Sequence, residues 1–126
     1  MRSAQSTLAV EVRHDGPTVT VRLEGDLDIT SSPLLQAVVD QALAARRTPP
    51  CSRLVVDMSG VGFADASGIS PLLLARALLA KRGGSIELRR CRRAVLRLVR
   101  LLDLADMLGD EEVLPRTADR PGSAVG

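Results

Sequence analysis

The feature that most constrains the fold is Leu54-Val55-Val56, three consecutive apolar residues that run into Asp57 and lie between two segments of helical periodicity. A strand with one wet face alternates apolar and polar residues. An unbroken apolar run belongs instead to a strand covered on both faces, the usual condition of parallel sheets flanked by helices. The flanking segments supply those helices. Upstream, Leu34, Leu35, Val38, Val39, Ala42 and Leu43 form one apolar stripe at helical spacing. Thr30, Ser31 or Ser32 can cap its start, with Pro33 in the first turn, and Pro49-Pro50 should stop it near Arg47. Downstream, a helix is predicted from about Pro71 to Arg82, stopped by Gly83-Gly84.

The rest of the chain completes an alternating order. Leu8, Val10 and Val12 alternate with polar residues, Asp15-Gly16-Pro17 marks a turn, and Val19, Val21 and Leu23 alternate again, which predicts a β-hairpin with one buried face. After Gly83-Gly84, Ile86 and Leu88 alternate with charged residues as a fourth strand, and Val95, Leu98, Val99 and Leu102 line one face of a further helix. Glu112-Val113-Leu114-Pro115 is a candidate short last strand. The expected class is α/β: a single domain with a mixed sheet of four or five strands, an N-terminal hairpin leading into parallel crossovers, and helices packed against the sheet. Residues 1–5 are expected to be a tail, 6–115 the domain and 116–126 a flexible C-terminal tail rich in Arg, Asp, Pro, Gly and Ser.

Composition excludes several functions. The chain has 126 residues, no Trp, no Tyr and a single Phe, Phe63, so stacking on exposed bases is unavailable. Seventeen basic against 15 acidic residues leave no excess for wholesale polyanion binding, and no direct nucleic-acid partner is expected. The one histidine, His14, adjoins a turn and leaves a Ser-His-Asp triad or a two-histidine zinc site without support. No apolar run reaches signal-peptide or membrane-spanning length, since Arg76 and Lys81 interrupt the longest, and a cytoplasmic protein without membrane insertion is expected. Cys51 enters the third strand and Cys91 leaves the fourth. In parallel strands they lie at opposite ends, beyond disulfide reach, so both are expected to be reduced.

Candidate chemistry concentrates between Leu54 and Arg89. A glycine-studded loop containing Gly60, Gly62 and Gly68 surrounds Phe63 and Asp65, and a helix follows. It lacks the Walker and dinucleotide fingerprints and the Lys of a P-loop. Asp57 and Asp65 are two carboxylates without a third carboxylate, His or Lys to complete a metal or acid–base site, so no catalytic residue, metal or cofactor is expected. Asp57 is read as ending its strand and bonding loop amides. Two serines compete to cap the second helix. Ser70 would put Pro71 at the first helical position, which suits proline, whereas Ser67 would put it fourth. Ser70 is favoured as the cap, with Ser67 exposed in the loop. Phe63 and the Leu-rich second helix are candidates for an exposed apolar patch. Arg89, Arg90, Arg92, Arg93, Arg97 and Arg100 form a basic run, read as a solvated face partly neutralised by the acids at 103 to 112.

Gly25-Asp26-Leu27-Asp28, Val55-Val56-Asp57-Met58-Ser59 and Phe63-Ala64-Asp65-Ala66-Ser67-Gly68-Ile69, followed by Gly83-Gly84, together resemble a STAS domain. The nearest group is that of the bacterial anti-sigma factor antagonists, and the likeness covers about residues 6 to 115. It implies a STAS-like fold and a non-enzymatic function by binding. In that family the unphosphorylated domain binds an anti-sigma factor that is also a serine kinase and so frees a sigma factor. The implied partner-binding residues here are Asp26, Asp28, Asp65, Ala66, Ser67, Gly68, Ile69 and Ser70. The family's phosphoacceptor follows the loop aspartate, and in this chain that position is Ala66, which has no hydroxyl. Either Ser67 substitutes as the phosphorylation site or the domain is a constitutive binder. The second is favoured, because one residue around a helix start turns a side chain by roughly 100°. The alternative is a non-catalytic STAS scaffold or accessory subunit, partnered by other STAS proteins in a signalling assembly or by a transporter ATPase.

Overall fold

Leu54, Val55 and Val56 are all buried, so both faces of their strand are covered. The fold is described by a computed structural model over residues 8–44 and 48–109. Its elements are β1 (Ala9–Asp15), β2 (Thr18–Leu27), α1 (Ser32–Ala42), β3 (Arg53–Ala64), α2 (Ala66–Lys81), β4 (Ser85–Arg89) and α3 (Arg93–Leu101), followed by a 3-10 turn at Ala105–Met107. The element order is the one expected from the periodicities. The sheet order is β1-β2-β3-β4, with β1 antiparallel to β2 and the remaining pairs parallel. Helix α1 packs on α2, α2 reaches β2, β3 and β4, and α3 packs on β3. One core joins Val19, Val21, Leu23 and Leu27 of β2 to Leu35 and Val39 of α1, Ile69, Leu72 and Leu79 of α2, and Val95 and Val99 of α3.

The hairpin turns at Gly16-Pro17, with Gly16 at a φ of 60° that only glycine adopts freely. The Pro17 carbonyl accepts the amides of Ser52 and Arg53, which ties the turn to the start of β3. β1 is the outer strand: Val10 is partly buried and every other β1 residue is exposed.

Four sequence expectations are revised. β3 does not end at Asp57 but continues through Gly60 and Gly62 to Ala64, so the expected glycine loop is strand. The reason is close packing: a Cβ on Gly60 would lie 2.7 Å from the Leu23 carbonyl oxygen of β2. Register shifts between Arg22 and Glu24 and between Gly25 and Asp26 absorb the mismatch. α2 begins at Ala66 rather than near Pro71, which lies inside the helix. α1 ends at Ala42, earlier than Pro49 requires; Arg46 and Arg47 lie outside the described residues. The Arg82 guanidinium, from the end of α2, donates to the Leu43 carbonyl at 2.5 Å and to the Cys51 carbonyl at 3.3 Å, closing that end of α1. On α3, the buried face is Val95, Leu96 and Val99, with Leu98 partly buried against the core as expected, while Leu102 is 37% exposed.

Neither Cys51 nor Cys91 forms a disulfide, as the parallel pairing of β3 and β4 requires. The candidate strand at 112–115 and both tails lie outside the described residues, although Leu108 makes a single parallel bridge to Leu88 beside β4. No helix among the described residues is long and apolar enough to cross a membrane.

Candidate functional site

β2 and β3 are parallel and end together, with Asp26 opposite Phe63 and Leu27 opposite Ala64. The two segments singled out in the sequence, Asp26 to Thr30 and Asp65 to Ser70, are therefore neighbours at one end of the sheet. Main-chain contacts hold them there. The Asp65 amide donates to the Leu27 carbonyl at 3.0 Å. At Gly68 the backbones come closer still: a Cβ would lie 2.0–2.1 Å from the Leu27 carbonyl group and 2.5 Å from the Asp28 nitrogen. Only glycine permits this approach.

Asp65, not Ser67 or Ser70, caps α2. Its backbone is extended, and its carboxylate accepts the Gly68 amide at 3.0 Å. Aspartate is as good a cap as serine, and the negative charge suits the helix N-terminus. Ala66, Ser67 and Gly68 are thus the first three helical residues. Ala66, Ser67 and Ser70 are exposed, whereas Gly68 and Ile69 are buried, so Ile69 anchors the helix start and is not on the surface. Ser67 is exposed as expected, but on the first helical turn and not in a loop. The Ser70 hydroxyl donates to the Ser67 carbonyl at 3.0 Å.

The neighbouring loop is shaped by Asp28 and Ser31. The Asp28 carboxylate accepts the Thr30 hydroxyl at 2.6 Å, the Thr30 amide at 3.0 Å and the Ser31 amide at 3.2 Å. The Thr30 hydroxyl, outweighing the opposing cost of desolvation, and then the two amides hold its pKa below the usual value. Ser31 is buried; its hydroxyl accepts the Asp28 amide at 3.0 Å and donates to the Asp26 carbonyl at 2.8 Å. Ser31 precedes α1 but makes no side-chain cap bond. Its part in shaping the loop was not evident from sequence, where a serine before a proline reads simply as a helix start. Asp26 is exposed.

Two exposed apolar side chains stand at this tip: Ile29 is 72% and Phe63 50% exposed, while Leu74 and Leu78 are exposed further along α2. Phe63 and two leucines of α2 are individually exposed, as the sequence suggested. Ile29 continues the odd-numbered phase of Val19, Val21, Leu23 and Leu27, so its exposure beyond the end of β2 was not legible in the sequence. Among the described residues, no group of three or more His, Cys, Asp or Glu could hold a metal ion. A tip of small residues, hydroxyls and apolar side chains on a rigid frame is suited to contact with another protein.

Asp57 and the basic run form a separate system. β4 ends at Arg89, opposite Asp57, while β3 runs on, and arginine side chains take over where β4 stops. Arg90, with φ 56°, donates to the Asp57 carboxylate, which also accepts the Ser59 amide at 2.9 Å. The Arg90 hydrogen bond chiefly lowers the Asp57 pKa to about 2, against the cost of its burial. Arg92 donates to the Ser59 carbonyl at 2.8 Å, and Arg89 pairs with Glu87 at 2.6 Å. Half of the run is therefore structural and is matched to acids and carbonyls upstream. Asp106, among the following acids, pairs with Arg76 instead. Asp57 does bond an amide, as expected, but within the strand. Its partner Arg90, 33 positions away, was missed because only the strand pairing brings the two together.

The chain is similar to known proteins along nearly this whole frame. A family model described as "Mlab, STAS domain" matches residues 10–110. An anti-sigma F factor antagonist of Paenibacillus polymyxa is 28% identical over 108 residues, covering 86% of this chain and 85% of that protein. The structure of the anti-sigma factor antagonist SpoIIAA in its unphosphorylated form superposes with a TM-score of 0.68 at 20% identity, covering 86% of this chain and 96% of that one. An anti-sigma factor antagonist from Mycobacterium paratuberculosis gives the same TM-score at 23% identity, covering 90% of this chain and 96% of that one.

Proposed function

The chain belongs to the STAS domain family, and on that premise we propose that it is an anti-sigma factor antagonist, acting by protein–protein contact and not by turnover. The observation that carries this reading is the joining of Asp26–Thr30 to Asp65–Ser70 through the Asp65–Leu27 hydrogen bond and the Gly68 contact. The relative from Paenibacillus polymyxa, named for the same activity, supports it over most of the chain. Its partner is an anti-sigma factor of the serine-kinase type, and Asp26, Asp28, Ala66, Ser67 and Ser70 form the contact surface with Ile29 and Phe63, on a frame set by Asp65, Gly68 and Ile69.

In this reading the domain is not switched by phosphorylation. Ala66 stands at the implied acceptor position and the hydroxyl of Ser67 is turned about 100° around the helix from it. A phosphate there would bring a charge of about −1.5 to −2 beside Asp65 and disfavour contact with a partner. Without an acceptor the domain stays competent to bind.

The test is binding to purified kinase-type anti-sigma factors of the same organism, by titration calorimetry, with and without prior incubation with ATP. Binding that survives ATP, an unchanged intact mass and gain of one phosphate by A66S are expected. No binding to any of them overturns the antagonist reading. Phosphate on Ser67 with loss of binding overturns only the unswitched form of it.

A further inference from the structure

The outer strand β1 carries a pattern that the candidate site does not use. Asp15 and Thr18 close a two-residue turn, so they exchange backbone hydrogen bonds, and the alternation of an antiparallel ladder then fixes the rest of the hairpin. Ala9, Glu11, Arg13 and Asp15 bond to β2. Val10, Val12 and His14 direct their N–H and C=O groups away from it, towards the side where no strand lies among the described residues. On that edge Val12 is 40% exposed.

An exposed edge is a template for another strand, and natural edges are commonly blunted by charge. The charges here do more than blunt. A second copy of β1 can bond to this edge in antiparallel sense only if even-numbered residues face even-numbered residues, since those have the free backbone groups. Centring the pair between the two Val12 residues places Val10 opposite His14 and, on the other face, Glu11 opposite Arg13 twice over. The two Glu11–Arg13 pairs are non-hydrogen-bonded positions, where side chains come closest. Moving the centre by one residue fails in either direction. Centring on position 11 sets Glu11 against its counterpart, and centring on 13 sets Arg13 against its counterpart and Glu11 against Asp15. Centring on position 14 would set Arg13 against Asp15 but would carry the pairing into the Gly16-Pro17 turn. Opposite charges facing across strands stabilise a pair and like charges oppose it, so the register about Val12 is the one favoured along the length of β1.

We propose that β1 is a homotypic docking edge, through which two copies of this chain pair antiparallel about Val12 and join their sheets into one. The Val12 side chains cover each other, and Glu11 lies between Arg22 of its own β2 and Arg13 of the second copy. The edge is independent of the tip of β2 and β3, so the inference does not rest on the proposed function. One strand pair buries less than a standard stable interface, so the dimer forms reversibly and depends on concentration.

Sedimentation equilibrium on the full chain over a wide concentration range tests this. A monomer–dimer equilibrium is expected. E11R and R13E each convert two attractive pairs into two repulsive ones and should weaken self-association by about tenfold or more. The swap E11R/R13E should restore it, and an equimolar mixture of E11R and R13E should form the dimer that neither forms alone. Because these side chains are exposed, unchanged circular dichroism separates lost pairing from lost folding. A wild type that stays monomeric, leaving the edge to a strand of another protein, overturns the proposal. So does a dimer that both single variants retain, or a swap that fails to restore it.

Discussion

The Ser70 hydroxyl donates to the carbonyl oxygen of Ser67, the very oxygen that Pro71, lacking an N–H, leaves without its helical partner. A proline six residues into a helix removes the bond to the carbonyl four positions back. Here the residue just before it replaces the missing donor. S70A should therefore destabilise the domain by about 1 kcal/mol. In a P71A background, where an amide returns to that carbonyl, the same substitution should cost markedly less. A double-mutant cycle by urea unfolding measures the coupling, and equal costs in both backgrounds would refute it.

Acid should loosen the β3–β4–α3 junction. Asp57 titrates at about 2 in the folded chain against an ordinary 3.8, so its contribution to stability is complete above about pH 4 and is lost as pH falls towards 2. Nearly two units of depression, discounted because the Arg90 side chain is 64% exposed, correspond to about 1–2 kcal/mol. D57N should be less stable than wild type by that amount at pH 7 and converge with it near pH 2. Glu87 acts in the same direction: burial opposes its ionisation, but Arg89 and Arg53 overcome this and lower its pKa. D57N therefore removes only part of the acid sensitivity. Urea midpoints measured from pH 2 to 7 decide the point.

Two glycines near the tip should behave oppositely. A Cβ at Gly68 would collide with the Leu27 carbonyl, whereas one at Gly62 meets nothing within 4 Å. G68A should cost about 2–3 kcal/mol, because main chain has to move. G62A should change stability by less than about 0.5 kcal/mol. Thermal unfolding of the two variants provides the comparison, and similar effects would contradict the packing described.

At the other end of α1, Arg82 satisfies carbonyls of two different segments. R82A should lose about 1–2 kcal/mol. R82K, with a single ammonium in place of a planar fork, should recover less than half of it. Partner binding by the folded variants is expected to be unchanged, since Arg82 lies beyond the far end of α2 from Ala66. Chemical denaturation paired with a binding titration separates the two effects.

Much of the fold was legible because it rests on periodicity. Val19, Val21 and Leu23 alternate, Leu35 and Val39 repeat at one helical turn, and Leu54 to Val56 form an unbroken run; each pattern appears in the structure as the element it suggested. The errors fell where non-local packing outweighs local preference. Gly60 and Gly62 suggest loop because glycine weakens an isolated strand, but beside the Leu23 carbonyl glycine is what lets β3 continue. Pro71 suggests a helix start until Asp65 supplies the cap and Ser70 fills the gap that proline leaves. The two segments of the candidate site were each visible in sequence, but their junction was not, because it depends on how Leu27 and Ala64 come into register.

The tip is held in shape by main-chain contacts, Gly68 and the side chains of Asp28, Ser31 and Asp65, while Ile29, Phe63, Ala66 and Ser67 stand outside the core. Selection can therefore rewrite those four side chains at little cost to folding. A duplicated copy of such a gene could acquire a new partner in a few substitutions, and paralogous copies could diverge into insulated signalling lines while keeping one scaffold.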